Sequence, residues 1–347
     1  MLNGIFSERK TNELSRRSMS LDEQQGIKCD KYDRNLFILK NCITEIITYI
    51  QPSLPYSNIE VEERNNKNIA SARYIDDKYT IVFNSKVLEK YDDYLKDIFK
   101  NDDSIYNKDS FKKYSSEKNS LHKILYEYGL MYCLLHEYSH IKDGHLKFLA
   151  NNDEHKGNYE TIRTLEYHAD NGATSMMVGM LLIECYGRED LEEQIKLFTL
   201  SAYIMFILSL RYDYRWDIQD IEMFEIFKDS HPLDGFRQYS LLDSLYSKLS
   251  NYKVEDEVNR IINDVIKMLI DFEKNRQRNS DLDLKKVPLM IAYTKEGHDS
   301  LKQIHNYWSS IESKVNYYSY INQPDYEPWV DTPEYLLNLF KKDYFME

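Results

Sequence analysis

The segment HEYSHIKDGH, at residues 136–145, contains side chains that can bind a metal ion and activate water. His136 and His140 are four residues apart, so on a helix their imidazoles project from one face about one turn apart. Zinc binds neutral imidazole nitrogens, and a catalytic zinc site keeps one position open for water. Glu137 lies beside the first histidine and could take a proton from that water without binding the metal. The spacing therefore predicts a hydrolytic metal centre.

A second interpretation of the two histidines needs no metal. Imidazoles near the C-terminal end of a helix are favourable cations at the negative end of its dipole. A third ligand on another helix would decide between the two, and LEYHADNGAT at residues 165–174 offers one. Glu166 and Asp170 share a helix face there. We expect Glu166 to be the third ligand and Asp170 to accept a hydrogen bond from the outer nitrogen of a bound imidazole.

Three other histidines are competing candidates for the third ligand. His145 follows Gly144, a residue expected to end the helix, so His145 would point away from the pair unless the chain doubled back. We expect it at the surface or behind the ligands. His155 lies in the polar loop NNDEHKGNY, and His168 faces roughly the opposite side of its helix from Glu166. His168 is expected to be a packing or surface residue.

The two motifs together resemble a known class of peptidases. HExxH in HEYSHIKDGH, followed by ExxAD in EYHAD, is similar to the zinc metallopeptidases of the CAAX-prenyl-protease and HtpX-like family. These are gluzincins, in which the first glutamate of ExxAD is the third ligand. SHPLDGFR at residues 230–237 resembles the HPxxxxR segment of that family. The resemblance covers roughly residues 121–245 and implies a zincin-like catalytic core.

The resemblance also implies the roles of the site residues. One zinc ion per chain would be held by His136, His140 and Glu166. Glu137 would activate the metal-bound water, which makes the expected function that of a zinc-dependent endopeptidase acting on a protein or peptide. His231 would lie near the metal as a fourth ligand or a stabiliser of the transition state, and Arg237 would brace its loop. His231 could also be a plain turn histidine before Pro232.

Two alternative functions remain open. Intracellular HExxH peptidases of the Lit-like and ImmA-like kind also combine a hairpin with an HExxH helix, and they act in regulation or phage defence. The lack of an export signal favours them, and a regulatory protein partner could then trigger activity, whereas ExxAD and HPxxxxR favour the first family. The other alternative is a binding or scaffold protein with structural zinc. Glu137 argues against it, because a structural site has no use for a general base.

Two crossing helices must position the ligands. Apolar residues recur at helical spacing from Leu121 to about Asp143, with Ser120 as the expected N-cap and Gly144 as a left-handed C-cap. A second helix is predicted from Glu160 to Cys185. Small residues are expected to leave room where the two helices approach each other: Gly129, Ala169 and Ala173.

The remaining patterns predict an α+β, mainly helical fold with a small antiparallel hairpin. Residues 69–83 contain two short runs of β-branched and aromatic residues on either side of Asp76-Asp77, a turn-forming pair. The exposed edge of this hairpin could align an extended peptide, although an ordinary sheet packed on helices explains the pattern equally well. Further helices are predicted at 35–51, 84–100, 197–210, from 234 to about 250, and beyond it, whereas 101–120 reads as a polar surface loop.

Composition and charge limit the organisation and the partners. We expect a polar N-terminal segment at 1–34, a metallopeptidase core at 35–250 and a helical C-terminal region at 251–347. The formal charge of −13 disfavours nucleic acid. The apolar run at 197–210 is short of the roughly 20 residues that a membrane span needs, so we expect a core helix and no integral membrane span. Together with the missing signal sequence, this predicts a cytoplasmic protein.

The cysteines add no metal ligand or disulfide framework. They are widely spaced and include no CxxC pair: Cys29, Cys42, Cys133 and Cys185. We expect reduced thiols that are mostly buried.

Overall fold

A computed structural model describes residues 59–63, 69–101, 118–185, 190–209, 234–276, 292 and 295–320 of the chain. In these ranges helices predominate and the strands form one small sheet, which confirms the predicted α+β, mainly helical class. The elements, in chain order, are β1 (Ile59–Glu63), β2 (Ala70–Ile75), β3 (Lys78–Phe83), α1 (Ser85–Asn101), α2 (Lys118–Lys142), α3 (His145–Asn151), a short 3-10 turn (Asp153–His155), α4 (Tyr159–Glu184), α5 (Leu191–Ser209), α6 (Asp234–Ser250), α7 (Glu255–Arg276) and α8 (Lys295–Asn316).

The sheet has β3 at its centre. The strand order is β1-β3-β2, with β2 antiparallel and β1 parallel to β3. The predicted hairpin is confirmed, and its turn residues Asp76 and Asp77 have φ angles of 50° and 59°. Two successive left-handed residues are typical of the tight hairpin turn that matches the twist of the strands. The parallel strand β1 was not predicted.

Strand β2 presents part of its backbone to the outer edge of the described sheet. The amide of Asn84 donates to the carbonyl of Ile69 over 2.9 Å, which fixes the alternation of hydrogen-bonded pairs along the hairpin. The amides and carbonyls of Ala70, Ala72 and Tyr74 therefore point away from β3. An edge with this geometry can pair with another extended chain.

Helices α2 and α4 cross closely, and Gly172 is the residue that permits it. A Cβ atom at Gly172 would lie 2.5 Å from Oγ of Ser139 on α2. Ala169 and Ala173 are also fully buried, as predicted for a narrow crossing. The expectation for Gly129 was wrong, because a side chain there would collide with the ring of Tyr91 on α1 and not with α4.

Helix α5 lies in the interior, as predicted for the apolar run at 197–210. Phe198, Ala202 and Tyr203 are fully buried. Within the described ranges, no helix has both the length and the apolar character that crossing a bilayer requires. One hydrophobic cluster includes Leu249 and Val258, which lie on either side of the predicted boundary at residue 250. The boundary itself stays a prediction.

The helix ends correct one expectation and confirm others. Helix α2 begins at Lys118, so Ser120 lies inside the helix and is not its N-cap. Gly144 is left-handed, with φ of 79°, as predicted. Helix α4 begins one residue before the predicted Glu160, after Asn158, whose side chain caps it. The predicted segment 1–34, the helix at 35–51, most of the loop at 101–120 and His231 lie outside the described residues.

Candidate metal centre

Three side chains from two helices bring their donor atoms together at the separations of a small coordination sphere. Nε2 of His136 lies 3.3 Å from Nε2 of His140. The Glu166 carboxylate lies 3.1 Å from His136 Nε2 and 3.4 Å from His140 Nε2. Ligands about 2.05 Å from a tetrahedral zinc ion would be separated by about 3.3 Å. The donor set thus fits the dimensions of a zinc site, and the residues are those expected from the sequence.

The helix crossing explains why these three groups meet. His136 and His140 project from the same face of α2, about one turn apart, and α4 supplies Glu166 from across the interface. Both histidines are buried, whereas Glu166 keeps partial contact with solvent. Of the three side chains, Glu166 is therefore the most exposed to solvent.

Asp170 is the hub of a buried polar network behind His136. One of its oxygens, Oδ1, lies 2.8 Å from Nδ1 of His136. Arg237 donates from Nε and Nη2 to the two carboxylate oxygens, over 2.7 and 2.8 Å, and Tyr132 donates its hydroxyl over 2.8 Å. Asp170 and Arg237 thus both contribute to the site. The contact between Arg237 and Asp170 was not expected, because Arg237 was predicted to brace the loop of His231.

The carboxylates favour a positive charge at the donor cluster. Burial opposes protonation of His136, yet Asp170 and Glu166 raise its pKa to about 10. Burial would raise the pKa of Asp170, but Arg237 and His136 lower it to about 2. The carboxyl group of Glu166 shows the same balance. Burial would raise its pKa, but the imidazoles of His140 and His136 hold it well below the usual range. A divalent cation among these groups would satisfy the same negative field.

Glu137 lies beside the donor cluster and contacts the sheet. Burial raises the pKa of its carboxyl group, while His136, His140 and a hydrogen bond from the amide of Ala72 lower it. That amide belongs to the outward-facing set of β2. The outer edge of β2 in the described sheet is therefore held directly against the group expected to act as a base.

His145 lies behind the two histidine ligands, which is one of the two positions expected for it, and it does not point away from them. Its side chain is fully buried, and Nδ1 lies 3.0 Å from Nδ1 of His140. On its other side, Nε2 lies 3.1 Å from Nδ1 of His168. His168 is stacked on Trp308 of α8, with ring centroids 4.0 Å apart and an angle of 14° between the planes. His168 is thus a buried packing residue, as predicted.

His155 is not part of the cluster. It is buried in the 3-10 turn, and its Nδ1 lies 3.1 Å from the hydroxyl of Thr161. Its contacts hold the start of α4, and its role is structural.

A groove of about 430 Å³ runs along the edge of β2 beside α3. Its walls are mostly apolar, with two cationic side chains: Ala72, Arg73, Tyr74, Ile75, Leu146, Leu149, Ala150 and Lys156. Because Ala72 lines this groove and its amide also contacts Glu137, one end of the groove lies beside Glu137.

Comparison with known protein families gives a match to a family of peptidases. Residues 46–216 match the model of the Peptidase U49 family. This match supports a proteolytic function, and with it a protein or peptide substrate. The finer resemblance to CAAX-prenyl-protease, HtpX-like or ImmA-like enzymes is not confirmed by it. No curated protein and no solved structure matches this chain.

The Peptidase U49 match covers the sheet and the crossing helices α2 and α4, so it includes His136, Glu137, His140, Glu166 and Asp170. It ends before α6 and α8. Arg237, which binds Asp170, and Trp308, which is stacked on His168, therefore lie beyond the matched Peptidase U49 region. Sequence reasoning missed the role of Trp308, because nothing local to residue 308 indicates that its ring packs against a histidine 140 positions earlier.

Proposed function

We propose that this chain is a zinc-dependent endopeptidase in which His136, His140 and Glu166 hold one zinc ion and Glu137 is the general base. The observation that carries the proposal is the set of separations of 3.1 to 3.4 Å among the three donor groups. Glu137 is a buried carboxylate beside them, and a hydrolytic zinc site needs a general base at this position, whereas a closed structural site does not. The match to a peptidase family supports the same reaction class.

The zinc ion and the side chains would have different roles in the reaction. When bound, zinc supplies a Lewis acid for the scissile carbonyl and a water molecule of lowered pKa. Glu137 takes a proton from the attacking water and later delivers it to the leaving amine. Burial raises the pKa of Glu137 above its usual value, although His136, His140 and the Ala72 amide lower it, and a raised pKa brings a carboxyl group closer to the value that suits a general base. His231 stays a candidate for stabilising the transition state.

The edge of β2 would align the substrate. The outward amides and carbonyls of Ala70 and Tyr74 can pair with an extended peptide, and Ala72 places that peptide next to Glu137. The groove beside the edge is lined by Leu146 and Leu149, so an apolar side chain fits there. Two cations line the groove, of which Lys156 is paired with Asp153, and Arg73 favours an acidic neighbour in the substrate.

The decisive test compares Glu137→Gln with the wild type for zinc content and for cleavage. We expect the variant to keep one zinc ion per chain and to lose peptide cleavage. Glu127→Gln is the matched control, because Glu127 lies on the same helix and is partly exposed, 3.7 Å from Lys123. New protein N-termini in cells that express each variant would reveal the substrate. The cut sites should share an apolar residue at one position near the scissile bond.

Each alternative predicts a different outcome. Cleavage by Glu137→Gln at the wild-type rate would refute the protease mechanism, and unchanged zinc content in His136→Ala would refute the site. A partner-triggered enzyme would cleave only in cells that contain the partner and would still require Glu137. A scaffold with structural zinc would bind the ion and yield no Glu137-dependent N-termini under any condition.

A further inference from the structure

Three buried imidazoles form a continuous chain that starts at one of the proposed metal ligands. His140 directs Nε2 to the donor cluster and Nδ1 to Nδ1 of His145, over 3.0 Å. His145 in turn places Nε2 at 3.1 Å from Nδ1 of His168. All three rings are buried. A neutral imidazole carries one proton, on one of its two nitrogens, and each short N···N contact needs one donor and one acceptor.

A metal ion at His140 would fix the position of every proton in this chain. Since Nε2 of His140 would bind the ion through its lone pair, its proton must be on Nδ1 and is donated to Nδ1 of His145. His145 then carries its proton on Nε2 and donates it to Nδ1 of His168. His168 is left with its proton on Nε2. Every contact has one donor and one acceptor only in this arrangement.

We propose that His145 is a positioning residue for the metal site, which holds the ring of His140 in one orientation and in the tautomer that binds the ion. The inference rests on the proposed function, because it assumes that His140 is a ligand. His136 has the equivalent support from Asp170, at 2.8 Å. The two ligands thus differ, since one is held by a carboxylate and the other by a neutral ring.

The C-terminal helix α8 keeps His145 in place. Trp308 is stacked on His168 and also lies 6.4 Å from the ring of His145, edge to face. Both histidines are therefore packed against one large aromatic side chain from a distant part of the chain. A ring confined in this way gives its hydrogen bond a fixed direction, which is what a positioning residue needs.

The same side chains could instead hold a second ion. Asp143, His145 and His168 each offer a ligand atom, and these atoms lie within 4.8 Å of one another. A metal on Nε2 of His145 would, however, move its proton to Nδ1, where it would face the proton on Nδ1 of His140. In addition, Lys142 already pairs with Asp143 and supplies a positive charge there. Two ions could be bound together only if the pair of histidines lost a proton, so we expect one ion.

The test measures zinc affinity by chelator competition, with two substitutions at one position. His145→Phe keeps a ring of similar size but removes the acceptor, and we expect zinc affinity to fall by about 10- to 100-fold. His145→Asn places an amide oxygen near the position of Nδ1, so it should recover most of the loss. His155→Phe is the matched control, a buried histidine with no contact to the cluster, and should leave zinc affinity unchanged.

Nitrogen NMR of the zinc-loaded wild type gives an independent result that does not depend on folding of a variant. We expect protons on Nδ1 of His140 and on Nε2 of His145. Zinc affinity unaffected by His145→Phe, the opposite tautomers, or a second zinc ion that is lost with His145 would each overturn the inference. The proposed function fails separately, if His136→Ala binds zinc as well as the wild type or if no zinc binds at all.

Discussion

Arg237 offers a sharp test of how the site is held, because its partner is a fully buried carboxylate. Its guanidinium binds both oxygens of Asp170, and the side chain of Arg237 is itself largely buried. Arg237→Met would keep much of the volume and leave Asp170 with His136 and Tyr132 as partners. Removing one member of a buried ion pair costs about 3 to 5 kcal/mol, since a buried charge loses its compensation. We expect a loss of stability of this size.

The control is a second arginine that also binds both oxygens of one carboxylate, but at the surface and through its two terminal nitrogens. Arg260 places Nη1 3.0 Å and Nη2 2.8 Å from the two oxygens of Glu192, but its side chain is 54% exposed, against 11% for Arg237. Arg260→Met should cost about 1 kcal/mol or less, because exposed pairs are screened by water. The comparison therefore tests whether burial, and not merely a pair of hydrogen bonds to one carboxylate, sets the cost of losing the arginine.

The assay is urea unfolding of both variants with and without zinc, together with zinc affinity from chelator competition. Besides the stability loss, Arg237→Met should weaken zinc binding by about 10- to 100-fold, because the position of Asp170 behind His136 would no longer be fixed. Arg260→Met should leave zinc affinity unchanged. Equal stability losses in the two variants, or a loss below about 1 kcal/mol for Arg237→Met, would refute the view that Asp170 depends on Arg237.

Two further predictions concern packing and pH. Gly172→Ala should destabilise the fold by about 1 to 3 kcal/mol, because its Cβ would lie 2.5 Å from Oγ of Ser139. Gly179 lies on the same helix with open space around it, so Gly179→Ala should stabilise the fold by about 0.5 to 1 kcal/mol. Thermal unfolding measures both changes. Burial raises the pKa of Asp243 to about 7, so the native state binds this proton more tightly than the unfolded chain, and stability from this group falls as pH rises from about 4 to 7. Asp243→Asn should therefore raise the melting temperature most at pH 8, less at pH 5, and hardly at all below about pH 4; a larger gain at pH 5 than at pH 8 would contradict the assignment.

Local rules were enough to predict the elements that hold the ligands. The hairpin follows from the two runs of β-branched and aromatic residues on either side of Asp76-Asp77. These two residues have a left-handed backbone, which aspartate tolerates because its side chain is short and polar. The position of Glu166 opposite the histidine pair follows from helical periodicity in two segments. By contrast, the parallel strand β1 depends on a partner, β3, that is distant in sequence and joined to it by no tight turn. Periodicity within IEVEE could not supply that pairing.

The contacts behind the ligands, Arg237 with Asp170 and Trp308 with His168, could not be predicted from local patterns either, because they also depend on partners distant in sequence. Arg237 and Trp308 come from helices far along the chain, and their partners are chosen by how the helices pack. Their residue types were visible in the sequence, but a partner 67 or 140 positions away has no local signature. The ligands of a site can thus be predicted from spacing, whereas the residues that orient them require the tertiary structure.

The turn after the motif shows how one backbone conformation changes the role of a side chain. Helix α2 ends at Lys142 and α3 begins at His145, so the chain reverses within Asp143 and Gly144. The left-handed Gly144 makes the reversal possible, and a Cβ there would lie 2.5 Å from the backbone of Tyr318. The residues that follow α8 therefore close over the turn, while α8 packs on the histidine chain. The turn brings His145 back to His140 instead of sending it to the surface, and α8 keeps it there.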